Sequence, residues 1–273
     1  MTTHALEAAR ETHYRRDLGR AFGGALLFGL PLLMTMEMWR YGLTLDPVRL
    51  AVFLLSGLPL LLGLAVFAGF SRSQGLVHAL VDVFAALAVG FVTTGFLLVL
   101  IGVIDGEAPL RPATGQIVLQ AVPAAMGALL ARRQFGADRN DAEKAESRYS
   151  GELFLMVAGA LFLSLNIAPT EETRLIAYRL APWPAVGLML LSVGLMHAIV
   201  YLVGFAGQEE QGHPLTAFVH FTLAGYGLVL LTGVYVLWLF GALDGHGVFE
   251  TAKTIVVLGF PGAIGAAAAR LLV

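Results

Sequence analysis

Residues 153–174 read LFLMVAGALFLSLNIAPTEETR. An uncharged apolar run, 153–165, is followed by a proline and two adjacent carboxylates, Glu171 and Glu172. A run of this kind in a soluble protein marks a buried helix. Repeated along a chain, it marks membrane spans, because about 20 apolar residues cross the hydrocarbon core as a helix. The rest of the sequence decides between the two. Of 273 residues, 58% are hydrophobic and only 13% are charged, against about 25% charged in soluble domains. The mean hydropathy is +0.78. The composition therefore predicts an all-α, polytopic membrane protein.

Eight apolar runs are long enough to span: 21–40, 48–70, 77–104, 114–132, 152–169, 182–205, 215–242 and 251–272. Backbone polar groups in lipid must be bonded within the segment, so helices are expected throughout. The first twenty residues are polar and lack the pattern of a signal peptide; a surface helix is expected there. Lys and Arg set the orientation. Eleven fall on one side, in the 1–20 tail, Arg132 and the 133–150 linker, Arg72 and Arg270. Six fall on the other: Arg40, Arg49, Arg111, Arg174, Arg179 and Lys253. Both termini and the linker are predicted cytoplasmic.

The linker divides the chain into segments 21–132 and 151–273, and these resemble each other. GALLFGLPLLMTME (24–37) lies over GALFLSLNIAPTEE (159–172), so that Thr35 meets Thr170 and Glu37 meets Glu172. Gly69 and Phe70 meet Gly204 and Phe205 at the same offset of 135. Further on, at offsets of 138 or 139, IDG (104–106) meets LDG (243–245), and VLQAVPAAMGALLAR (118–132) meets VVLGFPGAIGAAAAR (256–270). Four matches in order predict an internal duplication. Four spans per half return the chain to its starting side, so the halves share one orientation, as in parallel-repeat transporters.

The motifs LPLLMTMEMW (30–39) and LNIAPTEE (165–172), with eight spans and this length, resemble a family of bacterial integral membrane proteins classed as a domain of unknown function. The resemblance covers nearly the whole chain. It implies a multi-pass protein of the bacterial plasma (inner) membrane and brings no activity, substrate or site residue.

The chemistry must come from the residues. A carboxylate within a bilayer costs several kcal/mol and is usually functional. Glu37 and Glu172 are predicted to face each other across a pseudo-two-fold axis, with Glu171, Thr35, Thr170 and Asn166 supplying further oxygens. Pro31 and Pro169 would loosen the helices and free carbonyls. Such a set suits a proton, sodium or a divalent ion. The plainer reading is that these residues only end helices in the headgroup region, beside Arg40 and Arg174. Asp105 and Asp244, near Glu107, Glu250 and His246, would make an acidic outer mouth; Asp-Gly is equally an ordinary turn. Asp82 aligns with His220, and with His78 one turn before Asp82 they form a candidate inner gate or proton relay. Otherwise they are unrelated polar residues near helix starts. His197 is expected to be a bonded packing residue.

Glycines 259, 262 and 265, and 225, 227 and 233, are expected to pack helices, between halves or in a homo-oligomer. Trp39, Trp183 and Trp238 fit an interfacial aromatic belt. The chain has no cysteine, which removes disulfides and thiol chemistry. No P-loop, HExxH, Gly-x-Ser-x-Gly or dinucleotide fingerprint occurs, and no cofactor is expected. The net charge of -2 argues against nucleic acid. The expected partners are the lipid bilayer and an inorganic cation or proton, through a channel or secondary transporter. A membrane-embedded enzyme acting on a lipid or amphiphile, or a scaffold or sensor, is the alternative.

Overall fold

A computed structural model describes residues 3–67, 75–134, 149–202 and 218–271. Most of the 133–150 linker, and the Gly69-Phe70 and Gly204-Phe205 match, lie outside the described residues. Among those residues there are helices and turns and no strand. The chain divides into two compact units, Met1–Ala145 and Glu146–Val273.

The first unit holds α1 (Thr3–Leu33), α2 (Met36–Thr44), α3 (Pro47–Phe67), α4 (Gly75–Leu100) and α5 (Leu110–Gln134). The second holds α6 (Tyr149–Ile167), α7 (Glu171–Arg179), α8 (Pro182–Leu202), a π-helical turn (Phe218–Leu223), α9 (Ala224–Leu239) and α10 (Val248–Leu271). Seven helices are long and apolar enough to cross a membrane. An eighth span is obtained by joining Arg15–Leu33 to α2 across a bend of 84°.

The last helix is the centre of each unit. In the first, α5 packs against α1, α2, α3 and α4; in the second, α10 packs against α6, α7, α8 and α9. Small residues make this possible. A Cβ at Gly24 would fall on the carbonyl oxygen of Gly127, and one at Gly127 on that of Gly24. The second unit has the same reciprocal contact between Gly159 and Gly265. Backbones approach this closely in lipid only where side chains are absent. Gly259 faces Leu230 and Tyr226, and Gly262 faces Val229. Gly24, Gly127, Gly159, Gly259, Gly262 and Gly265 thus pack helices within their own unit. The apolar side chains of Leu27, Leu55, Phe84, Phe96, Leu190 and Leu231 are exposed, as a lipid-facing surface requires.

Local signals place the ends. Asp46 caps α3, its Oδ1 accepting from Val48 N (2.8 Å) and Arg49 N (3.2 Å), ahead of Pro47 in the first turn. After α4, Gly102 takes φ 76 and Gly102 N and Val103 N donate to Val99 O and Leu98 O. After α9, Gly241 takes φ 67 and Gly241 N and Ala242 N donate to Trp238 O and Leu237 O. Both are Schellman ends, in which a left-handed glycine lets the chain return to the last turn.

One expectation needs correction. The first span does not run straight from 21 to 40. It is continuous with the N-terminal segment, starts at Thr3, and stops at Leu33. Thr35 is extended (φ -103, ψ 114), and Trp39 Nε1 donates to Leu33 O at 2.7 Å, so a turned chain caps the freed carbonyl. The fifth span stops at Ile167, within two residues of the end expected and before Pro169, because a residue preceding proline is pushed out of the helical region. The other ends agree within a few residues.

Candidate functional site

The two helix breaks carry the predicted carboxylates. In the first unit, Thr35 is the N-cap residue of α2 and Glu37 lies in its first turn, partly exposed. In the second, Thr170 is the N-cap residue of α7, and Glu171 and Glu172 occupy its first turn, both exposed. A negative side chain in a first turn is favoured by the helix dipole. The hydroxyls turn backwards to the preceding helix: Thr35 Oγ1 donates to Pro31 O at 2.6 Å and Thr170 Oγ1 to Ile167 O at 2.8 Å. Ile167 O also accepts from Thr173 Oγ1 at 3.0 Å. Asn166 Nδ2 donates to Phe162 O at 2.7 Å, and its Oδ1 is buried without a hydrogen-bond partner among the described residues.

The hydrogen bonds around the breaks recur at the offset read from the sequence. Thr35 N to Leu32 O (3.2 Å) recurs as Thr170 N to Ile167 O (3.1 Å); Leu45 N to Tyr41 O (2.8 Å) recurs as Leu180 N to Ile176 O (2.9 Å). Within each unit, then, a long helix breaks, a nine-residue helix follows, and acidic residues sit at its positive end.

The other predicted residues are spread along their units. Asp105 is exposed, and its Oδ1 accepts from Glu107 N at 3.1 Å, as in a turn. Asp244 is exposed in the corresponding turn, and His246 Nδ1 lies 3.4 Å from Glu250 Oε2 nearby. Asp82 is half-buried on α4, one turn beyond the exposed His78. His220 is exposed in the π-helical turn. His197 is bonded as expected: its Nδ1 lies 2.9 Å from Thr222 Oγ1. No group of three or more Asp, Glu, His or Cys among the described residues is arranged to hold a metal ion.

Sequence reasoning missed one cluster. Arg270 Nη2 donates to Glu152 Oε2 at 2.8 Å, with both side chains buried. The guanidinium lies 4.3 Å over the Phe221 ring, a further stabilisation for a desolvated cation. Tyr149 packs edge-on to Phe221 at 5.2 Å, and its hydroxyl donates to His220 O at 2.8 Å. The start of α6, the end of α10 and the π-helical turn are thereby tied together. A signal was present: an acid near the start of the first span and an arginine at the end of the fourth occur in both halves, Asp17 with Arg132 and Glu152 with Arg270. In the first unit Asp17 pairs with Arg20 on its own helix at 3.1 Å.

Compared with known proteins, residues 17–273 match a family model described as "Putative integral membrane protein (DUF2391)". No curated protein and no solved structure matches the chain.

Proposed function

The chain belongs to the DUF2391 family of integral membrane proteins, and we propose that within the bilayer it provides a path for a cation, as a channel or a secondary transporter. One observation carries the reading. The first unit has a membrane span broken by an 84° bend, with a carboxylate in the first turn beyond the break. The second has a break and acidic first turn at the corresponding sequence positions. Discontinuous spans are where transporters hold ions, because irregular backbone in a membrane is tolerated only against protein or a water-lined space.

The recurrence of hydrogen bonds and glycine contacts at offsets of 135, 138 and 139 supports descent of the two units from one duplicated four-span ancestor. On that reading Glu37 and Glu172 are equivalent acidic positions, and Glu171, opposite Met36 in the alignment, is an addition of the second unit. Thr35, Thr170 and Asn166 supply neutral oxygen at the same breaks. Asp105 and Asp244 raise the local cation concentration at the end predicted to be extracytoplasmic. Asp82 and His220 guard the cytoplasmic end, near the termini. The exposure of Glu171 and Glu172 also suits a purely interfacial helix, and the same experiment separates the two roles. Purified protein in sealed vesicles is assayed for proton, sodium and calcium flux. Flux of one of these ions above that of protein-free vesicles supports a path; vesicles no leakier than the controls to all three contradict it.

A further inference from the structure

The π-helical turn Phe218–Leu223 leads directly into α9. The corresponding helix of the first unit, α4, runs from Gly75 to Leu100 without such a turn. A π turn closes its hydrogen bond one residue further along than an α turn, and such turns concentrate at functional sites.

The extra residue is visible in the alignment of the two units. Beyond the turn the offset is 139. Gly102 and Gly241 both take left-handed φ, and the bond from Val103 N to Leu98 O recurs from Ala242 N to Leu237 O. Before the turn the offset is 138: Ala79 and Val81 match Ala217 and Val219, and Asp82 aligns with His220. Burial changes at the same place. In α4 one buried residue, Val83, stands between half-buried Asp82 and exposed Phe84. In the second unit two buried residues, Phe221 and Thr222, stand between exposed His220 and exposed Leu223. Ala86 and Leu87 are then buried in one unit, as Gly225 and Tyr226 are in the other.

The turn is tied to three helices. Phe221 faces Arg270 of α10, whose guanidinium lies 4.3 Å over the ring and pairs with Glu152. Thr222 Oγ1 lies 2.9 Å from His197 Nδ1 on α8. The Tyr149 hydroxyl of α6 donates to His220 O at 2.8 Å. At the position aligned with His197 the first unit has Leu62, so the imidazole is particular to the second.

We propose that this turn is a register switch, which covers and uncovers the buried Arg270–Glu152 pair at the end predicted to be cytoplasmic. In the π register Phe221 lies against Arg270. In the alternative register the extra residue passes out of the helix toward Phe218, and the stretch continues α9 at the offset of 139. Thr222 then occupies the buried position of Val83 and keeps its place beside His197. Phe221 moves to the half-buried position of Asp82, a rotation of about 100° for one residue of helix, and leaves Arg270. The π register is held by a ring–cation contact and one carbonyl hydrogen bond. Both are modest, which keeps the alternative within reach. The switch goes beyond the cation path and holds whichever ion, if any, the protein moves.

The test uses full-length protein in lipid nanodiscs. The chain has no cysteine, so spin labels are placed at Val219→Cys and Val186→Cys, both exposed positions of the second unit. Pulsed electron resonance then measures the distance between them. Two populations are expected in the otherwise unaltered chain, because Val219 rotates with the switch. Tyr149→Phe and Phe221→Leu each weaken the π register and should raise the minor population about threefold or more. Deleting Phe221 removes the extra residue and should leave the major distance alone. Unfolding midpoints establish that each variant is folded. A single distance that neither substitution alters would overturn the switch, as would a minor population that survives the deletion.

Discussion

Arg270 holds Glu152 at 2.8 Å across 118 positions of sequence, both side chains buried at the ends of α10 and α6. The pair ties the last span of the second unit to its first at one end, while Gly159 and Gly265 bring the same two helices together further along.

Removing one partner leaves the other charge buried. Glu152→Gln and Arg270→Met should each destabilise the protein by about 3–5 kcal/mol, as for a broken buried pair. Replacing both with apolar residues of similar volume should recover most of the loss. Chemical unfolding in lipid nanodiscs measures this; two single variants as stable as the wild type would show that the pair holds nothing.

The glycines divide into two classes. Gly127→Ala and Gly265→Ala put a methyl against a backbone carbonyl and should cost about 1–3 kcal/mol, as overpacking does. At Gly187 and Gly227 an added methyl would meet nothing within 4 Å, and alanine there should be neutral or stabilising by up to about 1 kcal/mol. Unfolding midpoints of the four variants decide the matter, and a common shift would contradict the close crossing.

The bend after Leu33 depends on the Trp39 indole as a cap. Trp39→Phe keeps an aromatic ring but removes the donor to Leu33 O. A carbonyl left without its donor costs about 1–3 kcal/mol. Faster amide exchange at Met36–Trp39, confined to that turn, is the expected signature; exchange unchanged from the wild type would mean that other groups hold the bend.

Much of the architecture is legible in the sequence because lipid imposes a simple rule: an uncharged run of sufficient length becomes a helix. The seven helices that cross alone follow that rule to within a few residues. The breaks do not. Met34, Met36 and Met38 continue the apolar pattern past Leu33, and nothing in hydropathy distinguishes a span that goes on from one that turns along the interface. Pro169 is a clearer signal in the second half than Pro31 in the first, since Pro31 lies inside α1 and the helix continues for two more residues. Glu152 and Arg270 read as flanking charges, because charge near a span end is ordinary and only packing reveals which one is desolvated.

Above all, the carboxylates at the two helix breaks are proposed to serve one cation path. Ion flux through vesicles containing Glu37→Gln, Glu172→Gln or Glu171→Gln protein, at equal and verified incorporation, tests this without intermediaries. At least a tenfold loss is expected for Glu37→Gln and for Glu172→Gln, and a smaller change for Glu171→Gln. Wild-type flux in both of the first two variants would contradict the proposal, and would leave these residues as the charged first turns of interfacial helices.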